Sequence, residues 1–332
     1  MATDIDNDPT SDQDFESEDG RLEVLEALDL HMAAIERFLS SRELRVPEMD
    51  DHFEMRVAEQ LSEEIFRSLV YQYKYAGRQT INYFIIKGIS DHDLSEIASE
   101  VESRLPAQEN VQSVSREPFI AECEVIGDRL YLPVGYYEYA GSEHPITGTN
   151  KGILITKRVV VVISDDTDLV EIRGSDVNMV EDIRDEICKS IGKFKDSVKD
   201  RPNFGVEFQE EFNELVEKYF NLKVRVDDQE DTTLDTISFT SKEDEEGDRR
   251  DARDSDRVEK ELSEKGSEIT MGYVELNEGF RFRMNRESAK VSFMKSEKEE
   301  NLNKITEIID NVLRETGEYT QGQISGLEDV PE

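Results

Sequence analysis

The stretch FRFRMNRESAKVSFM, residues 280–294, decides how this chain is read. Phe280, Phe282 and Met284 alternate with Arg281, Arg283 and Asn285, and a period of two is that of a strand with one face buried. Arg286-Glu287-Ser288 makes a polar turn, and Val291 and Phe293 resume the alternation on a second strand. Ser296-Glu297 then offers a helix start ahead of Leu302, Ile305, Ile309 and Leu313, which keep helical spacing. The order is strand, turn, strand, capped helix.

The same order occurs 121 positions earlier. Val159, Val161 and Ile163 stand where Phe280, Phe282 and Met284 do, and Val170 and Ile172 where Val291 and Phe293 do. Ser175-Asp176 matches Ser296-Glu297, and Val180, Ile183, Ile187 and Ile191 match the four apolar helix positions after one inserted residue. A helical pattern precedes the strands in both, at 91–105 and 206–220. The fold class expected is therefore α+β, with two antiparallel hairpin–helix units, an internal duplication being one explanation and the generic alignability of such units the other. A duplicated pair would place its helices on one sheet face, as in saddle-shaped two-repeat folds, an analogy that licenses no function.

Toward the N-terminus, Leu25, Leu28, Met32, Ile35 and Leu39 make one amphipathic stripe, and Phe53, Val57, Leu61, Phe66 and Leu69 another, with Pro47 between them. They predict a helical hairpin over 21–78. Thr80–Ile89 reads as a strand, and Ser90-Asp91 as the cap of a helix that ends before Pro106. Two strands flank Gly127-Asp128, a polar loop covers 141–152, Ile153–Ile163 and Leu169–Arg173 are strands around the Ser164–Asp168 turn, and Leu222–Val226 is a short strand. Residues 241–268 hold 12 acids and 7 bases with Ala252, Val258 and Leu262 as their aliphatic residues, a composition expected to stay flexible. The organisation predicted is an acidic disordered arm at 1–20, the hairpin at 21–78, a first α+β unit at 79–226, an acidic insertion at 227–267, a second unit at 268–316 and a tail at 317–332.

Of 332 residues, 78 are Asp or Glu and 40 Lys or Arg, a formal charge of −38, with 36% apolar residues and no Trp. The apolar share lies below the usual ~45–50%, yet the periodic stretches require folded cores. Such a surface suits a cytoplasm of molar salt, where the Debye length falls to about 3 Å and carboxylate repulsion is screened; a mesophilic protein with acidic tails is the alternative. Two cysteines rule out a disulfide scaffold or a Cys-based zinc site. Residues 1–20 carry eight acids and no Lys or Arg, unlike a signal peptide, and the apolar runs Val159–Ile163 and Tyr83–Ile86 are too short to span a bilayer. A cytoplasmic protein without membrane contact is expected.

Against that charge, residues 280–298 carry six bases and two acids. Arg281, Arg283, Arg286 and Lys290 form a candidate site for nucleic acid or an acidic partner, since guanidinium pairs bidentately with phosphate or carboxylate; the plain alternative is pairing with acids of the 241–268 insertion. A second basic run, Lys189 to Arg201, suits a helix C-terminus. Asp165, Asp166 and Asp168 in the Ser164–Asp168 turn could hold Mg²⁺ for phosphoryl transfer, although Asp is an ordinary turn residue. The scattered histidines, the absence of a GxxxxGK[ST] loop and the absence of a GxSxG elbow give no cofactor or nucleophile motif. Tyr131, Tyr136, Tyr137 and Tyr139 cluster before the polar loop. The function expected is a non-enzymatic interaction or regulatory protein docking a protein partner or a second copy through its helical hairpin and sheet surfaces. A nucleic-acid factor is the first alternative and a Mg²⁺-dependent enzyme the second; no small-molecule cofactor is implied.

Overall fold

The computed structural model describes residues 17–317 apart from 29, 77–79, 108–117, 121–122, 141–152, 192–200, 226–235, 243–248 and 265–266. The expected acidic arm, the polar loop and the tail fall almost wholly outside the described residues. The chain divides into two compact units, one formed by residues 1–79 with 293–308 and the other by 80–292 with 309–332.

The first unit is helical: α1 (Glu18–Leu28), α2 (Met32–Ser41), α3 (Phe53–Gln60), α4 (Glu63–Tyr73) and the start of α9 (Glu299–Glu315). Each of the two stripes is split into two helices. His31 makes the first break by accepting from Ala33 N at Nδ1 (3.2 Å), which caps α2. At the second, Leu61 turns extended and Ser62 leads into Glu63-Glu64, acids favoured by the N-terminal end of a helix dipole. Val24, Leu25, Ile35, Phe38, Leu39, Phe53, Val57, Phe66 and Leu69 are buried together with Leu302 and Ile305. Ser296, expected to start the last helix, instead accepts from His31 N (3.2 Å), and the helix begins three residues later.

The second unit is one antiparallel sheet. Its strands are β1 (Thr80–Ile85), β2 (Phe119–Ile120), β3 (Glu124–Ile126), β4 (Arg129–Ala140), β5 (Ile153–Ser164), β6 (Leu169–Arg173), β7 (Val216–Arg225), β8 (Thr236–Thr240), β9 (Glu268–Leu276), β10 (Arg281–Asn285) and β11 (Lys290–Ser292). They lie in the order β2-β4-β5-β6-β1-β11-β10-β9-β7-β8, with β3 also on β4. Gly127, at φ +64°, makes the tight turn between β3 and β4. A Cβ on Gly272 would sit 2.7 Å from the Tyr219 ring, so β9 needs glycine there.

Both β6 and β11 pair antiparallel with β1, so they run parallel to each other on either side of it. Rotation about β1 within the sheet plane relates two such flanks, and it exchanges the two sheet faces. The helices obey that geometry. Phe84, Ile172 and Val161 pack with α5 (Leu94–Arg104) and α6 (Val177–Ser190). Tyr83, on the opposite face by alternation, meets Phe204, whose ring begins a run through Phe208 and Phe212 of α7 (Val206–Leu215) to Phe282 of β10. The two halves thus carry these helices on opposite faces, where a saddle would carry them on one.

The described residues of the 227–267 segment are more ordered than its composition implies. They contribute β8, and residues 252–264 form short helical turns with Ala252 and Val258 buried. The cause lies in β7, whose pairing with β9 slips at Val216/Lys218 and Tyr219/Asn221. Such bulges leave backbone groups unpaired. Asp251 accepts from Tyr219 N (3.2 Å), while Arg253 donates to Val216 O (3.0 Å) and Glu217 O (3.1 Å), pairs with Asp251 (2.6 Å) and lies over the Tyr219 ring. Arg253→Ala is expected to cost about 2 kcal/mol, the scale of orphaned backbone acceptors and a lost charge-assisted bond. A denaturant midpoint equal to that of the parent protein would show that this segment does not brace β7.

Candidate interaction surface

In the half-sheet from β11 to β8 the side chains alternate between the two faces except at the bulges of β7 against β9. Val216, Leu222, Val224, Val274, Phe282, Met284 and Val291 are buried on the face that bears α7. On the other face the register builds two polar rows across six strands. Thr240, Asn221, Tyr273, Arg283, Ser292 and Thr80 make the first, and Ser238, Lys223, Met271, Asn285, Lys290 and Asn82 the second. Arg225 and Thr236 continue beside Lys223 and Ser238, and Arg281 beside Arg283. Thr236, Ser238, Thr240, Asn221, Lys223, Arg225, Arg281 and Arg283 are all exposed. Among the described residues this face is open over β10, β7 and β8, closes toward β1, where Asn82 is buried, and carries more bases than acids.

The four predicted basic residues are differently engaged. Arg281 pairs with Glu275, directly opposite it on β9 (2.8 Å), and its guanidinium lies 5.1 Å over the Phe220 ring; the bond to Glu275 raises its already high pKa. Arg286 turns to the α7 side and donates to Phe204 O (2.6 Å), Ile269 O (2.5 Å) and Gln209, a structural clasp whose burial lowers its pKa. Lys290 is half-buried opposite Asn285 and Asn82; burial and the neighbouring Arg201 hold its pKa down. Arg283 has neither ion pair nor hydrogen bond among the described residues. No ion pair with the 241–268 acids forms at any of the four among the described residues.

Lys223 and Arg225 were missed as site residues. Their signal was the alternation of Leu222 and Val224 with two bases, which places both on one face. Arg225 is paired with Glu287, whereas Lys223 has no ion pair among the described residues.

The turn acids have other work. Asp168 accepts from Gly88 N (2.9 Å), Ser90 N (3.2 Å) and Ser90 Oγ (2.8 Å), fixing the turn that enters α5. For that reason Asp93, not Ser90-Asp91, caps α5 by accepting from Ser95 N. Asp165 and Asp166 are exposed, and Asp166 O accepts from Arg314 (2.6 Å). No group of three His, Cys, Asp or Glu suited to a metal occurs among the described residues. Lys189 pairs with Glu186, Lys193 to Lys199 lie outside the described residues, and Arg201 donates to Ser288 O and Glu181. Tyr131 and Tyr136 are buried, Tyr137 packs on Phe119, and the Tyr139 side chain lies outside the described residues. Cys188 is buried and Cys123 half-buried. No helix among the described residues is long and apolar enough to cross a membrane. A concavity of about 370 Å³ in the helical unit, between Arg45 and Gln60, opens widely to solvent.

No protein-family model matches the chain, and a search of curated proteins returns no match.

Proposed function

We propose that this protein is a non-enzymatic interaction module that docks an acidic macromolecular partner on the open face of its β11-to-β8 half-sheet. The observation that carries this reading is the pair Arg283 and Lys223, exposed and without ion pairs among the described residues, on a polar sheet face of a chain at −38. The helical hairpin is a weaker docking element than its stripes suggested, because those stripes, Leu28 and Met32 apart, are buried in the core of their own unit. A protein partner is favoured over nucleic acid on two grounds. Arg281 and Arg286 are engaged internally, and Tyr273, the aromatic residue of the first row, packs tilted on Phe220 at 5.4 Å, which provides no stack of aromatic platforms for single strands. The reading places the protein in a high-salt cytoplasm, so binding belongs in molar KCl as well as dilute buffer.

The test is binding of a labelled polyglutamate and of a single-stranded oligonucleotide to the parent protein and to Arg283→Glu/Lys223→Glu. Polyglutamate affinity is expected to fall at least about tenfold with an essentially unchanged melting temperature, since exposed substitutions shift stability within about 0.5 kcal/mol. Unchanged polyglutamate binding would remove this face from the proposal. Tighter binding of the oligonucleotide would replace the acidic protein by nucleic acid.

A further inference from the structure

The sheet ends at β8, which pairs with β7 and with no other strand among the described residues. Ser241 N donates to Phe220 O (3.0 Å), and the register continues without a slip from Asn221/Thr240 to Arg225/Thr236. Antiparallel pairing alternates, so Phe239 and Ile237 turn their backbone groups to β7, while the N–H and C=O groups of Thr236, Ser238 and Thr240 point away from it. Natural sheets guard such an edge with charge, proline or a bulge. Thr-Ile-Ser-Phe-Thr has no charged residue and no proline, and its pairing with β7 has no bulge. Four of its five residues, Thr236, Ile237, Phe239 and Thr240, favour extended structure.

We infer that β8 is a strand-addition site for an extended partner segment in which acidic and apolar residues alternate. The chemistry of the two faces chooses that occupant. A strand added at β8 lies about 10 Å from β7, within joint reach of a Glu side chain and of the exposed Lys223 or Arg225 beyond Ser238 and Thr236. On the other face it meets Ile237 and Phe239, which β7 leaves half-buried. The added strand runs antiparallel to β8, like every neighbour in this sheet path, so its residues that bond to Thr236, Ser238 and Thr240 lie directly opposite them and share their face; those are the acidic positions. A second copy of β8 offers that face only Ser and Thr, with no complement to Lys223 and Arg225. The inference rests on the acidic-partner reading of the open face and adds how the partner is held. Backbone bonds also suit molar salt, which screens charge beyond about 3 Å but not a formed hydrogen bond.

The experiment uses a blocked Glu-Val-Glu-Val-Glu-Val-Glu peptide, the same peptide N-methylated at the Glu amides, and a third N-methylated at the Val amides. The peptide is expected to bind and to slow hydrogen exchange at Thr236, Ser238 and Thr240. Methylation at Glu abolishes binding, and methylation at Val leaves it. In the protein, Ser238→Pro removes an outward N–H at a place where an edge strand tolerates proline. It is expected to weaken binding at least about tenfold with the melting temperature unchanged; should it unfold the edge, the methylated peptides decide alone. Equal binding of all three peptides overturns strand addition. If Lys223→Glu weakens binding while the Glu-methylated peptide still binds, the open-face reading stands and strand addition fails. If methylation at Glu abolishes binding while Lys223→Glu leaves it unchanged, the edge binds a strand and the acidic-partner reading fails. A dimer by sedimentation that Ser238→Pro dissociates would make the occupant a second copy and overturn the proposal.

Discussion

Glu171→Gln is expected to cost about 3–5 kcal/mol, the range for breaking a buried ion pair by removing one partner. Glu171 and Arg173 lie on β6 at 1% exposure each, and Arg129 on β4 at 6%. The Glu171 carboxylate accepts from Arg173 Nε (2.8 Å), pairs with Arg173 Nη2 (2.7 Å) and reaches Arg129 Nη1 (3.4 Å). Gln keeps the shape and removes the charge that both guanidinia share, in a region where water cannot replace it. Urea unfolding gives the number. The companion variant, Glu171→Leu/Arg173→Met, is expected to be more stable than Glu171→Gln, because it leaves one buried guanidinium without the carboxylate instead of two, and that one, Arg129, keeps Asp128 at 3.9 Å. A midpoint for Glu171→Gln within error of the parent would mean that the guanidinia draw their compensation from elsewhere.

The same residues show what the sequence could and could not convey. Leu169–Arg173 is a strand by its alternation, and alternation assigns Glu171 and Arg173 to water. The structure buries both faces of β6, β1 and β5. The warning was next door: Val159–Ile163 is an unbroken apolar run, the mark of a strand covered on both sides. Arg281 and Arg283 follow the same rule without exception, because their half-sheet is covered on one face only, and there the candidate surface was legible from spacing. Arg286 was not, since a residue just past the end of a strand is released from its alternation and can turn to either face. The β8 strand was hidden for a compositional reason. Thr236–Thr240 alternates well, but it borders a run of acids that argues for disorder, and what orders that region is the repair of β7's bulges by Asp251 and Arg253. A bulge is invisible in a single sequence. The arrangement of the two hairpin–helix units was equally hidden, because matched positions in a sequence do not say whether such units carry their helices on one sheet face or on opposite faces.

The open face has an energetic consequence that makes Phe208 costly to lose. A half-sheet with one polar face has one face left on which to build a core, and here much of that core is five rings. Phe204 and Phe208 stack at 4.3 Å and 8°, Phe208 and Phe212 at 5.5 Å and 11°, with Tyr83 and Phe282 at the two ends. Phe208 is fully buried in the middle of the run. Phe208→Ala is expected to cost about 3–5 kcal/mol, the transfer loss of a ring plus a cavity that both neighbours border. Phe208→Leu, which keeps much of the apolar area but no ring face, is expected to cost about 1 kcal/mol for the lost aromatic pairs plus whatever repacking fails. Hydrogen exchange places the damage. Protection is expected to fall first in β9, β10 and β7, while β4, β5 and β6, sandwiched between two buried faces, keep theirs until global unfolding. Uniform loss across all strands would mean that the two halves share one cooperative core, and the polarity of the open face would then carry no separate stability cost.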